Sequence, residues 1–281
     1  MAPDLSALRL GAVHLRVADL EAQADFYSRV LGLHPLARDA SRAVLGVDGR
    51  PLLALAHAPG ARPVAGSTGL FHTAFLLPGR ADLGRFLNHL KAQRWPLDGA
   101  SDHGVSEALY LNDAEGNGIE VYRDRRPNQW PRSREGGLAM YSRPLDLAEL
   151  GRANADGAWG GAPTGTTVGH VHLKVNDLGA AQSFYRDVVG LELTQTLGDE
   201  AGFLSAAGYH HHLGINTWYS RNAPAPPADA TGLDHFEAAL PAAQIERLKK
   251  RLDEAEVAWQ EKGARLRLED PAGNGLALLA A

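Results

Sequence analysis

The stretch Gly169–Leu191, GHVHLKVNDLGAAQSFYRDVVGL, is a near copy of Gly11–Leu33, GAVHLRVADLEAQADFYSRVLGL. Each copy reads as a short strand, an Asp N-cap (Asp19, Asp177), an amphipathic helix and a glycine stop (Gly32, Gly190). The pairs Phe26-Tyr27 and Phe184-Tyr185 fall on the helical repeat and are expected in the core. A self-copy of this length decides the architecture before any single residue is weighed.

A weaker second pair lies beside the first. GLFHTAFLLPGRADLGRFLNHL (Gly69–Leu90) resembles GLDHFEAALPAAQIERLKKRL (Gly232–Leu252), each a strand ending at Pro78 or Pro241 and then a helix. Their ends match as well: DAEGNGIEVY (Asp113–Tyr122) against DPAGNGLALL (Asp270–Leu279), each a turn and a strand. The chain is therefore expected to hold four βαβββ modules, over residues 8–58, 67–124, 166–221 and 230–281. The expected class is α+β, with the modules paired into two half-barrel domains, 1–124 and 166–281. Residues 125–165, rich in Arg, Pro and Gly, read as a connector with a short helix near Leu145–Arg152.

Composition narrows the chemistry. The chain has 281 residues, 44% hydrophobic and 22% charged, with a net charge of −5 and both signs interleaved. No concentrated basic patch suggests nucleic acid, and no apolar run of membrane-spanning length occurs. The first residues lack the pattern of a secretory signal, so a cytoplasmic location is the expectation. Cysteine is absent, so disulfides, thiolate nucleophiles and Cys-bound metals are excluded. Any metal must be held by His, Asp, Glu, backbone or water.

The repeat then tests each histidine by position. Aligned first strands place His72, His170 and His235 at one equivalent site, where the first module has Ala12. His14 and His172 sit two residues further along, on the same face. Aligned Gly-Asn-Gly turns match Glu120 to Ala277. Pairing the second and third modules would join His72, Glu120 and His170, two imidazoles and a carboxylate. Such a facial set suits Fe(II), or Mn(II), and leaves positions open for substrate and oxygen. Pairing in chain order would offer His14 in place of His170. Glu120 alone, between Ile119 and Val121, is as readily a solvent-facing strand residue, and a lone His72 a hydrogen-bonded core histidine. Their coincidence at equivalent positions favours a metal.

On these segments the chain resembles the vicinal oxygen chelate superfamily, and within it the extradiol, catechol 2,3-dioxygenase-like enzymes. HVHLKVNDLGAAQSFYRDVVGL carries the fold likeness, and DHGVSEALYLNDAEGNGIEVY (Asp102–Tyr122) the likeness in reaction. The resemblance implies metal ligands at His72, His170 and Glu120, a pocket histidine at His103 and an active-site tyrosine at Tyr110. It also implies an acid–base histidine at His212, in the run His210-His211-His212. Read as a strand, that run puts His210 and His212 on one face and His211 on the other. His172, Asn216 and Trp218 are expected to line the substrate pocket. The familiar two-domain members hold all three ligands in the C-terminal half. Here Ala277 replaces the carboxylate of that half, so the ligand set would bridge the halves.

The expected activity is ring cleavage of a small aromatic diol by O2, as in aromatic catabolism. Oligomeric state is open, edge contacts that build a homo-oligomer being compatible with such domains. A glyoxalase- or lyase-like metalloenzyme is the alternative. It would ordinarily bring a fourth acidic or Gln ligand, which Ala54 and Gly214–Asn216 do not supply. A metal-free protein that binds small molecules is the third reading.

Overall fold

The structure is a computed structural model that describes residues 5–153 and 157–281. The first module comprises β1 (Arg9–Val17), α1 (Leu20–Arg29), β2 (His34–Arg38), β3 (Arg42–Val47) and β4 (Arg50–His57). The second comprises β5 (Gly69–Leu76), α2 (Arg80–Gln93), β6 (Gly99–Asp102), β7 (Ser106–Asn112) and β8 (Gly118–Asp124). In the connector lie the two-residue β9 (Arg143–Pro144) and α3 (Leu147–Arg152). The third module is β10 (Thr167–Lys174), α4 (Leu178–Ser183), β11 (Glu192–Leu197), β12 (Ala201–Ser205) and β13 (Leu213–Asn216). The fourth is β14 (Gly232–Leu240), α5 (Ala242–Glu254), β15 (Trp259–Lys262), β16 (Arg265–Glu269) and β17 (Gly275–Ala280). The βαβββ repeat is thus present four times among the described residues. Among the described residues no helix is long and apolar enough to cross a membrane.

Local signals act as their chemistry demands. Asp19 and Asp177 each accept a hydrogen bond from a first-turn N–H, Ala22 at 2.9 Å and Ala180 at 3.0 Å. Gly32 and Gly190 follow the helices at φ +74° and +100°, left-handed values that a residue with a Cβ rarely adopts. The third-module helix departs from its copy by running on as a π-helix over Phe184–Val189. The Phe-Tyr pairs are buried, with edge-on rings at 5.1 Å in one copy and 5.0 Å in the other.

The chain divides into two compact units. One holds Val17–Pro59 and His72–Gly169. Within it, β2, β3 and β4 form antiparallel neighbours, and β5 lies parallel to β8, which continues antiparallel to β7 and β6. Its α2 buries Leu83, Phe86, Leu87 and Leu90 on one face; burying Phe86 alone stabilises by roughly 1.5–3 kcal/mol. The other unit holds residues 5–16, Gly60–Phe71 and His170–Ala281. There β10 lies parallel to β13, followed by β12 and β11, while β1 lies antiparallel to β14, followed by β17, β16 and β15.

One device recurs in both units. Tyr27 donates to Asp113 Oδ2 at 2.9 Å, and Tyr185 to Asp270 Oδ2 at 3.0 Å. Each Asp also takes the backbone N–H groups of its own Gly-Asn-Gly turn and the amide of the turn Asn117 or Asn274. The latch joins the helix of one module to the last turn of the next.

Candidate metal centre

Strand pairing places the first donors. In the parallel β5–β8 pair Ala74 lies opposite Glu120, and His72 is two residues before Ala74, on the same face. In the antiparallel β7–β8 pair Tyr110 lies directly opposite Glu120. One face of this sheet therefore gathers His72, Tyr110 and Glu120. Glu120 is 3% exposed and His72 6%, so Glu120 is no solvent-facing strand residue. A buried carboxylate needs a charged or hydrogen-bonding partner, and His72 Nε2 stands 3.0 Å from Glu120 Oε2.

The line of polar groups continues outward. The Tyr110 hydroxyl bonds Glu120 and lies 2.7 Å from His103 Nε2. Burial pushes the Tyr110 phenol well above its ordinary range, and the charge and hydrogen bond of Glu120 push the same way. Tyr110 therefore keeps its proton and serves as a donor at neutral pH. His103 Nδ1 lies 3.0 Å from the Tyr141 carbonyl. His103, Tyr110, Glu120 and His72 thus form one chain of contacts. The connector residue Tyr141 anchors its far end, a role the Arg/Pro/Gly-rich connector gave no sequence signal for.

In the second unit His170, on β10, is 2% exposed. The His211 ring lies 4.2 Å from the His170 ring, and His210 Nδ1 is 2.8 Å from His211 Nδ1. The three histidines precede β13, which begins at Leu213, so strand alternation does not govern them. His210 and His211 accordingly meet each other instead of facing apart. His212 Nδ1 takes the Ala206 backbone N–H at 3.3 Å and lies 3.1 Å from Ser205 Oγ. Since Nδ1 is an acceptor, neutral His212 carries its proton on Nε2.

The three expected pocket residues do come together. Asn216 Nδ2 is 3.0 Å from His172 Nε2, and the His172 and Trp218 ring centres are 5.7 Å apart. Phe71 lies 5.1 Å from His172 and 5.3 Å from Trp218, and Phe203 completes the aromatic group at 6.0 Å from His172. Neither phenylalanine stands out in the sequence, because each reads as an ordinary strand hydrophobe. Gly214 lies opposite His172, and a Cβ there would come within 2.8 Å of the imidazole. The ring thus lies flat over β13 only because that residue is glycine. Trp218 is 37% exposed, so the group reaches solvent.

The other ligand candidate, His14, has its donor atoms grouped with those of His235 and Glu237, all within 4.8 Å of one another. The chain thus carries a His-His-Glu set of the kind that could bind a metal ion.

Residues 9–121 and 167–278 both match the Glyoxalase/Bleomycin resistance protein/Dioxygenase superfamily. The chain belongs to that superfamily. It is 40% identical over 267 residues to a catechol-2,3-dioxygenase of Bacillus subtilis (strain 168), covering 93% of each chain. Among solved structures it resembles glyoxalase I from Zea mays, with a TM-score of 0.61 at 16% identity, over 97% of this chain and 92% of that one. It also resembles the cppA protein from Streptococcus pneumoniae TIGR4, with a TM-score of 0.56 at 11% identity, over 97% and 100% of the two chains. At such identities these structural likenesses show the fold alone.

Proposed function

We propose that this superfamily member is a metal-dependent extradiol dioxygenase that opens a catechol-type ring beside its hydroxyls with O2. The observation that carries the reading is the chain His72–Glu120–Tyr110–His103, buried at its His72–Glu120 end, set beside the identity to a catechol-2,3-dioxygenase. In this reading the ligands that the resemblance implies, His72, Glu120 and His170, hold one ion, Fe(II) or Mn(II). The ion would supply the one-electron chemistry that lets triplet oxygen react with a singlet diol. Both oxygen atoms end in the ring-opened product, so no external reductant is needed.

The remaining work falls to the protein. Tyr110 holds a hydrogen-bond donor beside the ligand carboxylate, placed to steady negative charge on a substrate oxygen. His103 fixes the orientation of that hydroxyl. A diol must lose protons to bind a metal, and a neutral imidazole is suited to take one near neutral pH. The resemblance assigns this to His212. The contact of His211 with His170 supports His211 as well, and paired variants separate them. Phe71, Phe203 and Trp218 offer an apolar, aromatic surface for the ring, with the His172–Asn216 pair as its polar mark.

The test is oxygen uptake with catechol by protein reconstituted anaerobically with Fe(II), beside Glu120→Ala. Uptake with a yellow ring-opened product, lost with the bound iron in the variant, supports the reading. Stoichiometric metal without uptake would move the assignment to a non-oxidative metalloenzyme of this superfamily. Absence of bound metal would move it to a small-molecule-binding protein.

A further inference from the structure

The first and fourth modules carry a polar cluster that the proposed reaction does not use. His14 on β1 and His235 on β14 are directly paired residues. Glu237, two residues beyond His235, shares its face. Between the pairs Leu10–Ala238 and Val13–Phe236, β1 has two residues, Gly11 and Ala12, opposite Glu237 alone. This bulge opens the ladder, and the Glu237 side chain occupies the opening. Its Oε2 takes the Ala12 N–H at 3.3 Å, and a Cβ on Gly11 would come within 2.8 Å of Glu237 Cβ. The strand is therefore shaped around this carboxylate.

Each imidazole presents a nitrogen to the cluster. His235 Nδ1 lies 2.6 Å from Asp234 Oδ2, and Arg267 holds the same oxygen at 2.9 Å. His235 Nδ1 is thus occupied by Asp234 and by Arg267 Nη2 at 2.9 Å, which leaves Nε2 to face the cluster. A carboxylate behind the distal nitrogen is the usual support of a metal-bound histidine. His14 Nε2 is buried and faces Glu237 Oε1 at 3.0 Å. The two rings stack at 3.9 Å, and the donor atoms of all three residues lie within 4.8 Å of one another. Arg265 Nε binds Glu237 Oε1 at 3.0 Å, a hydrogen bond of the kind that ligand carboxylates commonly keep.

We propose that His14, His235 and Glu237 form a second metal site, for a divalent transition ion of the zinc class. Two imidazoles and one carboxylate with a fourth position open to water match zinc's common ligand set. Of the repeat-equivalent ligand positions, Ala12, His235 and Ala277, only His235 carries a ligand; the other two ligands lie two residues along β1 and on β14 in place of β17.

The experiment strips the full-length protein of metal, reloads it with Zn(II), desalts it and counts zinc per chain by mass spectrometry. Glu120→Ala silences the centre proposed for the reaction and should keep one zinc. Adding His235→Ala or Glu237→Gln to it should remove that zinc, and Co(II) substitution should show ligand-field bands that the same changes abolish. Glu237→Gln alone should leave catechol-dependent oxygen uptake intact, which separates this site from the proposed reaction. Far-UV circular dichroism checks folding, and Glu237→Gln, close in shape, decides if the histidine variant unfolds. Glu120→Ala protein without zinc, or with zinc that folded Glu237→Gln does not lose, would overturn the proposal and leave an ion-pair network.

Discussion

The two Tyr–Asp latches are near copies of each other, whereas the two His/Glu clusters are not. Tyr27–Asp113 and Tyr185–Asp270 agree within 0.1 Å, with the same turn amides on the same carboxylate oxygens. Around Glu120 the neighbours are His72, Tyr110 and, through Tyr110, His103, all on one sheet face. Around Glu237 they are His14 and Arg265, beside a bulge in β1. A module pair needs its latch whatever it does, so the repeat retains it. A polar cluster is free to differ, and difference between copies marks the places where function is to be sought.

The sharpest way to break this contrast is to remove one carboxylate at a time. Glu120→Ala should abolish catechol-dependent oxygen uptake in an electrode assay, while Glu237→Ala should leave it standing. Equal loss in both would erase the functional difference between the clusters. Next, Tyr110→Phe should lower turnover by roughly 10²-fold with iron content unchanged, since it removes a donor and no ligand. Among the histidines, one of His211→Ala and His212→Ala should slow turnover without loss of metal, and stopped-flow product formation will show which.

The latches should break alike. Tyr27→Phe and Tyr185→Phe should each cost roughly 1–3 kcal/mol in urea unfolding, the loss of a buried hydrogen bond to a carboxylate. A large difference between them would show that the repeat is structural in one half only. The smallest effect is in alkali. Burial is the main cause that raises the Tyr27, Tyr110 and Tyr185 phenols well above their ordinary value, with acidic neighbours adding to it. The folded state holds these protons where the unfolded chain sheds them. Their contribution to stability is therefore whole below about pH 10 and declines as pH rises toward the folded values. A tyrosinate absorbance titration should show these three ionising late and together with unfolding.

Much of this was legible from residue order. The self-copy exposed the modules, their caps and their glycine stops, because those signals act over a few residues. Position in the repeat picked out His72 and Glu120, since register in a regular strand decides which residues share a face. It failed at His210–His212, where the chain is irregular and no period applies. It passed over Glu237 because Gly11 and Ala12 form a bulge, and a bulge is visible only against its partner strand. Phe71, Phe203 and Tyr141 had no distinguishing pattern, since an aromatic residue near a site looks like any other.

The sequence by itself determined the repeat, the superfamily and the chemical types available to a site without cysteine. Tertiary structure decided which of those groups meet. It set Tyr110 between Glu120 and His103, and it brought His14 onto His235. Both outcomes depend on strand register and bulges between segments far apart in the chain. Local periodicity carries no information about such pairings, because their energy is realised only when the strands come together.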